Sequence, residues 1–188
     1  GTENGHPPEW FVDAYNLARE AGLHSVPHAG EVAGPPSVWG AIRALGAERL
    51  GHGVRSIEDP TLVAYLVQEQ IPLEVCPTSN VCVGVYPSYQ EHPIRWLWDQ
   101  GVYVTVNSDD PPMFNTTLTD EYSRCADAFG WSHATVASLV LNAVDATLLA
   151  RVRSDASGCR FIGLSRTADF GAGVTTPQAQ DEALDWSG

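Results

Sequence analysis

Four short polar clusters carry residue types suited to metal-assisted hydrolysis: His28 and Glu31 in HAGE, His52 in GHG, Ser79 and Asn80 in CPTSN, and Asp109 and Asp110 in NSDDP. Imidazole nitrogen and carboxylate oxygen suit a borderline metal such as zinc, so His28 and Asp109 are the candidate metal ligands. Two ligands do not complete a catalytic site, and at least one more protein ligand is expected. A bound zinc would bring the pKa of its water to about 7. Glu31, in the same loop as His28, can donate a proton to a ring under attack, and His52 can accept or orient the proton of the water. Asp110, beside Asp109, can hydrogen-bond a ring nitrogen of the substrate. Taken singly, a histidine between two glycines or an acidic pair before prolines has an ordinary use as a turn or cap. Four such groups in order on successive strand ends form a constellation.

The elements that must position these groups are legible from periodicity. Apolar runs at Leu23 to Pro27, Arg49 to Gly51, Ile71 to Cys76 and Val102 to Val106 read as strands, and each polar cluster begins just past one of them. Helices are expected at Pro8 to Ala21, Ser37 to Leu45, Pro60 to Gln70 and His92 to Gln100, with Gly22, Gly46 and Gly101 where helix C-caps belong. Helix and strand in regular alternation imply a parallel sheet, and in a parallel barrel the loops after the strands converge on one catalytic face. None of His6, His24, His92 and His133 sits just past a strand. Two more helical stretches follow, about Thr119 to Phe129 and Ser132 to Arg153, the second with Ser132 as N-cap and neither with obvious chemistry. A tail of low structure is expected over residues 171–188, leaving residues 1–170 as one unit.

Composition narrows the function classes. The 188 residues carry a formal net charge of -13, which would repel a phosphate backbone, so no direct nucleic-acid partner is expected. No apolar run reaches the roughly 20 residues of a membrane helix, and GTENGHPPEW is not signal-like; a soluble cytoplasmic protein without a membrane partner is the expectation. Cys76, Cys82, Cys125 and Cys159 contain no C-x-x-C pair, which points to buried free thiols. The H-x-E with P-C-x-x-C pattern of cytidine-type zinc deaminases is also absent.

PHAGE at Pro27 to Glu31, RLGHG at Arg49 to Gly53, EVCPTSN at Glu74 to Asn80 and NSDDPPMF at Asn107 to Phe114 resemble the motifs of the adenosine deaminase family in letters, order and separation, from Gly1 to about Leu149. The resemblance implies an α/β fold, the C-terminal half of a (β/α)8 TIM-type barrel of the metal-dependent hydrolase kind, with the last four strand-helix units present. It implies that His28 and Asp109 are zinc ligands, that Glu31 is the proton donor, and that His52 positions or deprotonates the attacking water. By the same resemblance Asp110 contacts purine N7, and the backbone N–H of Gly1 meets N3. The implied reaction adds water to C6 of adenosine or deoxyadenosine, protonates N1 from Glu31 and releases ammonia, giving inosine or deoxyinosine. Family barrels open with a strand bearing a His-x-His pair that supplies two further zinc ligands, and no such pair occurs here. The expectation is therefore a chain completed by an N-terminal half as partner. The same catalytic set serves adenine and modified adenosines such as aminodeoxyfutalosine, and a noncatalytic nucleoside-binding remnant is the competing reading.

Overall fold

Valine- and leucine-rich runs, each delivered by the helix before it, pair into one parallel sheet. The computed structural model describes residues 3–148. A 3-10 turn at Pro8–Phe11 enters α1 (Val12–Glu20), followed by β1 (His28–Ala29), α2 (Pro35–Leu45) and β2 (Leu50–His52). A second 3-10 turn, Val54–Glu58, leads to α3 (Pro60–Glu69) and β3 (Leu73–Val75). Then come α4 (Pro77–Cys82), α5 (Ile94–Asp99), β4 (Val104–Val106), α6 (Pro111–Phe114), α7 (Leu118–Phe129) and α8 (His133–Asp145). The sheet order is β1-β2-β3-β4 and each neighbouring pair is parallel, the expected half-barrel order of strands.

Register separates the two faces of the sheet. Leu50, Leu73 and Val104 form one row across the strands. They are buried against Val38, Ala41, Leu62, Leu66, Ile94 and Leu97, so this face and its helices make the core. The next row is His28, Gly51, Glu74 and Thr105, and side chains one position apart on a strand point to opposite faces. The polar row therefore lies away from the helices, where a barrel has its interior.

The expected elements are present with shifted ends. β1 sits at His28–Ala29 rather than Leu23 to Pro27, and Leu23 is 64% exposed. Pro27 has no N–H for a ladder and contributes only its carbonyl, which accepts from the Gly51 N–H at 2.9 Å. His28 and His52 consequently lie on strand ends rather than just beyond them. The Pro8 to Ala21 stretch is split between a 3-10 turn and α1. α2 begins at Pro35, because proline suits a first helical turn. Gly46 caps α2 with φ 62°, and Ser132 caps α8 by accepting from the Thr135 N–H. Cys76 and Cys125 are buried free thiols as expected, while Cys82 is exposed. α8 stops at Asp145, short of the expected Arg153; Cys159, residues 149–153 of that stretch and the 171–188 tail lie outside the described residues. Among the described residues no helix is long and apolar enough to cross a membrane.

Candidate active site

The C-terminal strand ends surround a cavity of about 330 Å³ lined by His28, Gly51, His52, Glu74, Cys76 and Asp109 among others. His28 enters it from the polar row and lies over its register partner Gly51. A Cβ at Gly51 would stand 2.9 Å from His28 Nδ1 and 3.0 Å from Cγ, closer than such contacts allow. The first glycine of RLGHG thus makes room for the imidazole. Gly51→Ala is expected to displace His28 and weaken metal retention about 10- to 100-fold, the range typical of lost ligand orientation. Metal content after dialysis against a graded chelator checks this, and retention equal to the unsubstituted protein would remove the role given to Gly51.

His52 reaches the same cavity by a different route. By register it pairs with Ala29, one position off the polar row, so an ordinary strand conformation would aim it toward the helices. Its φ of 62° instead turns the ring inward, where it is 1% exposed. Asp109 also has a positive φ, 54°. Left-handed backbone at a non-glycine residue is uncommon and costs about 1–3 kcal/mol; of the four such residues described, His52 and Asp109 serve this cavity, while Gln70 and Asn115 end helices. His52 Nε2 lies 3.7 Å from Glu31 Oε2 and 3.8 Å from Asp109 Oδ2, too long for direct hydrogen bonds, so its edge is aimed between the two carboxylates. The Ser79 hydroxyl donates to Asp109 Oδ2 at 2.7 Å.

The loop that carries Glu31 is held by Glu3, a residue the motif reading passed over. One carboxylate oxygen of Glu3 accepts from the backbone N–H of Gly30 at 2.5 Å and from the Ser37 hydroxyl at 2.8 Å. The other accepts from the N–H groups of Glu31 at 2.9 Å, Val32 at 2.7 Å and Ala33 at 3.0 Å. Successive amides converging on one anion form a nest, and the Arg55 guanidinium donates to the Val32 carbonyl from the opposite side. A signal was present in the sequence, since an acid stands two residues from Gly1, but its partners are 27 to 34 residues away.

The CPTSN segment is held from behind by α7, in the stretch from which no chemistry was expected. Glu121, fully buried, accepts from the Thr78 N–H at 3.1 Å and the Thr116 hydroxyl at 2.7 Å. This sets α4 so that Ser79 meets Asp109 and Asn80 meets His52. Asn80 Nδ2 is 3.1 Å from His52 Nδ1, and Asn80 Oδ1 is 3.1 Å from His92 Nε2. His92, although past no strand, thus stands directly behind the site.

The electrostatics follow from burial and neighbouring charge. Burial raises the Glu31 pKa above the ordinary carboxylate range, the negative charges of Asp109 and Glu3 reinforce the shift, and His28 opposes it. Burial and the nearby His28 push His52 down to about 4, against Asp109 and Glu3. Burial, with His52 adding, lowers His92 to about 3. His92 packs on the Tyr86 ring at 5.0 Å between centroids. Because its folded pKa lies below the ordinary 6.5, the unfolded chain binds the extra proton first as pH falls. The stability from a neutral His92 is full above about pH 6.5 and is lost toward pH 3, by up to about 1.4 kcal/mol per pH unit. Urea unfolding between pH 7 and 4 should show this slope, flattened in His92→Phe; equal slopes would contradict it.

Zinc, the metal implied by the resemblance, can be tested against the donors present. His28 offers imidazole nitrogen and Asp109 a carboxylate whose Oδ2 is held by Ser79, a combination zinc accepts. His52, Cys76 and Asp109 also present ligand atoms within 4.8 Å of one another. Before a metal binds, Cys76 is held as a neutral thiol, since burial pushes its pKa up and Asp109, Glu121 and Glu74 push it further. The nitrogen and oxygen donors fit zinc. Of the other predicted residues, Asp110 is exposed at the start of α6, next to Asp109 but not on the cavity wall. Gly1 lies outside the described residues.

The sequence profile of the family described as adenosine deaminase matches residues 1–156. Aminodeoxyfutalosine deaminase of Streptomyces coelicolor is 48% identical over 149 residues, covering 79% of this chain and 38% of that protein. Adenosine deaminase of Klebsiella pneumoniae is 42% identical over 149 residues, 79% of this chain and 45% of that protein. Among solved structures, the adenine deaminase from Arthrobacter aurescens superposes with a TM-score of 0.79 at 35% identity, over 81% of this chain and 47% of that one. An amidohydrolase from Burkholderia ambifaria with bound Zn gives 0.74 at 28% identity, over 80% and 43%. The chain thus spans less than half the length of these relatives.

Proposed function

This chain belongs to the adenosine deaminase family, and on that premise we propose that it supplies the proton donor, the water-orienting histidine and one metal-binding face for hydrolytic removal of the 6-amino group of a purine nucleoside. The observation that carries the reading is the convergence of His28, His52 and Asp109 on one cavity, with Glu31 3.7 Å from His52. His28 and Asp109 would hold zinc together with ligands from an N-terminal half of the barrel. When bound, zinc supplies a hydrolytic nucleophile at neutral pH by acidifying water.

The chain's own residues do the rest. Glu31, its pKa raised by burial and two carboxylates, is the group that delivers a proton to purine N1 as oxygen adds to C6. Protonating N1 stabilises the ring as its aromaticity is broken. His52 Nε2, aimed between Glu31 and Asp109, orients the oxygen. As the tetrahedral carbon collapses, the proton of its new hydroxyl passes to the amino nitrogen, the C6–N bond breaks, and ammonia leaves behind the 6-oxo purine. Asp110 would bond N7 and Gly1 would bond N3, placing C6 over the strand ends. Residues 1–170 would form this half-barrel unit in a cytoplasmic enzyme, with 171–188 as an appended tail.

Adenosine and deoxyadenosine are the proposed substrates. The 48% identity to the Streptomyces enzyme favours aminodeoxyfutalosine as the second reading, and adenine is a third, because none of the named residues depends on the N9 substituent. The test is ammonia release from these four compounds by the zinc-loaded protein with its N-terminal half. Release from one of them supports the proposal and ranks the substrates. Tight zinc binding with no ammonia from any would sink it in favour of a nucleoside-binding remnant.

A further inference from the structure

The histidine behind the site determines how the histidine inside it can act. The chain of contacts starts at a group whose proton cannot move: the Ile94 backbone N–H donates to His92 Nδ1 at 3.2 Å. A nitrogen that accepts carries no proton, so the His92 proton sits on Nε2, which donates to Asn80 Oδ1. With its oxygen so used, the Asn80 amide turns its NH2 to His52 Nδ1 and donates there. His52 Nδ1 is therefore an acceptor, and the remaining proton of the ring is on Nε2. The orientation of Asn80, ambiguous from shape alone, is set by the Ile94 N–H at the far end. All three side chains are buried, with Asn80 fully so and His52 and His92 at 1% and 3% exposure, so water does not compete for these positions.

We propose that His92 and Asn80 are positioning residues that hold His52 as its Nε2–H tautomer, a hydrogen-bond donor aimed between Glu31 and Asp109. The inference deepens the deaminase reading and rests on it for its catalytic consequence, although the tautomer itself does not. Between the two uses expected of His52, the wire selects orienting an oxygen by donation over accepting a proton at Nε2. The arrangement follows the logic by which a group behind a catalytic imidazole fixes its tautomer, with an amide and a second histidine in place of a carboxylate.

The test reads the imidazole nitrogens directly. In the protein labelled with 15N-histidine, the His52 signals, identified by their loss in His52→Gln, should show a bare Nδ1 and a protonated Nε2. Asn80→Asp has nearly the same shape and accepts from both rings, so it should move the His52 proton to Nδ1. It should also lower kcat by about 10²-fold or more, the scale of a misprotonated acid-base group, with KM changed little. His92→Phe removes the donor to Asn80 Oδ1 and should lower kcat in the same way. His92→Gln can accept from Ile94 and donate to Asn80, and should restore most of the rate. A protonated His52 Nδ1 in the unsubstituted protein would overturn the proposal. So would Asn80→Asp with Nε2–H retained and normal kcat. If the expected nitrogen pattern appears but no purine is turned over, the wire stands and the deaminase reading falls.

Discussion

Replacing Glu31 by glutamine is expected to lower kcat about 10³-fold while zinc content and folding remain unchanged. The amide has the shape of the carboxylic acid and can still hydrogen-bond to N1, but it cannot hand over a proton, and positioned acid-base groups contribute roughly 10² to 10⁴ in rate. The size of the effect follows from the environment of the side chain. Partial burial and the carboxylates of Asp109 and Glu3 raise its pKa, which favours the protonated form relative to an exposed glutamate. Steady-state kinetics with metal analysis of the same sample decide the matter. A kcat within about threefold of the parent would remove Glu31 from the mechanism.

Glu3→Gln is expected to have the next largest effect, although Glu3 lies outside every motif. Both of its oxygens accept, one from two donors and the other from three. An amide keeps one acceptor and points an NH2 at donors with the other, so at least two N–H or O–H groups lose their partner. Unpartnered polar groups cost about 1–3 kcal/mol each when shielded from water, and the open side of this loop softens that, so a loss near 2 kcal/mol is expected. The catalytic loss should be larger than stability suggests, because the residues released include Glu31 and its neighbours in the loop. We expect kcat to fall about 10²-fold in protein shown to be folded by circular dichroism, the scale of a misplaced reacting group. Parental kcat and urea midpoint together would show that the nest positions nothing.

The two substitutions illustrate how unevenly the site can be read in advance. Glu31 stands in HAGE, three residues from a candidate ligand, and its role rests on residue type and on a position near a strand end. Glu3 looks like any exposed acid until its five donors are seen, and these come from residues 30–33 and 37. The strands were legible as apolar runs, but their ends were not. Whether Leu23 to Pro27 joins a ladder depends on which N–H and C=O groups the neighbouring strand presents. Pro27 offers only a carbonyl, so pairing resolves at His28 and Ala29.

The amino-acid sequence by itself determined the alternation of helices and strands, the parallel sense of the sheet, and the gathering of His28, Glu31, His52 and Asp109 at one sheet edge. These depend on interactions within about ten residues and on a periodicity that repeats with each strand-helix unit. Only the tertiary structure decided that Gly51 clears space for His28 and that His52 enters the cavity through a left-handed backbone. The same holds for Glu3 as the fastening of the acid's loop and for His92 and Asn80 as the setting of the His52 proton. The contacts among these join groups 12 to 34 residues apart, made when the strands come into register. No local preference in the chain encodes which nitrogen, carbonyl or carboxylate will be opposite when they do.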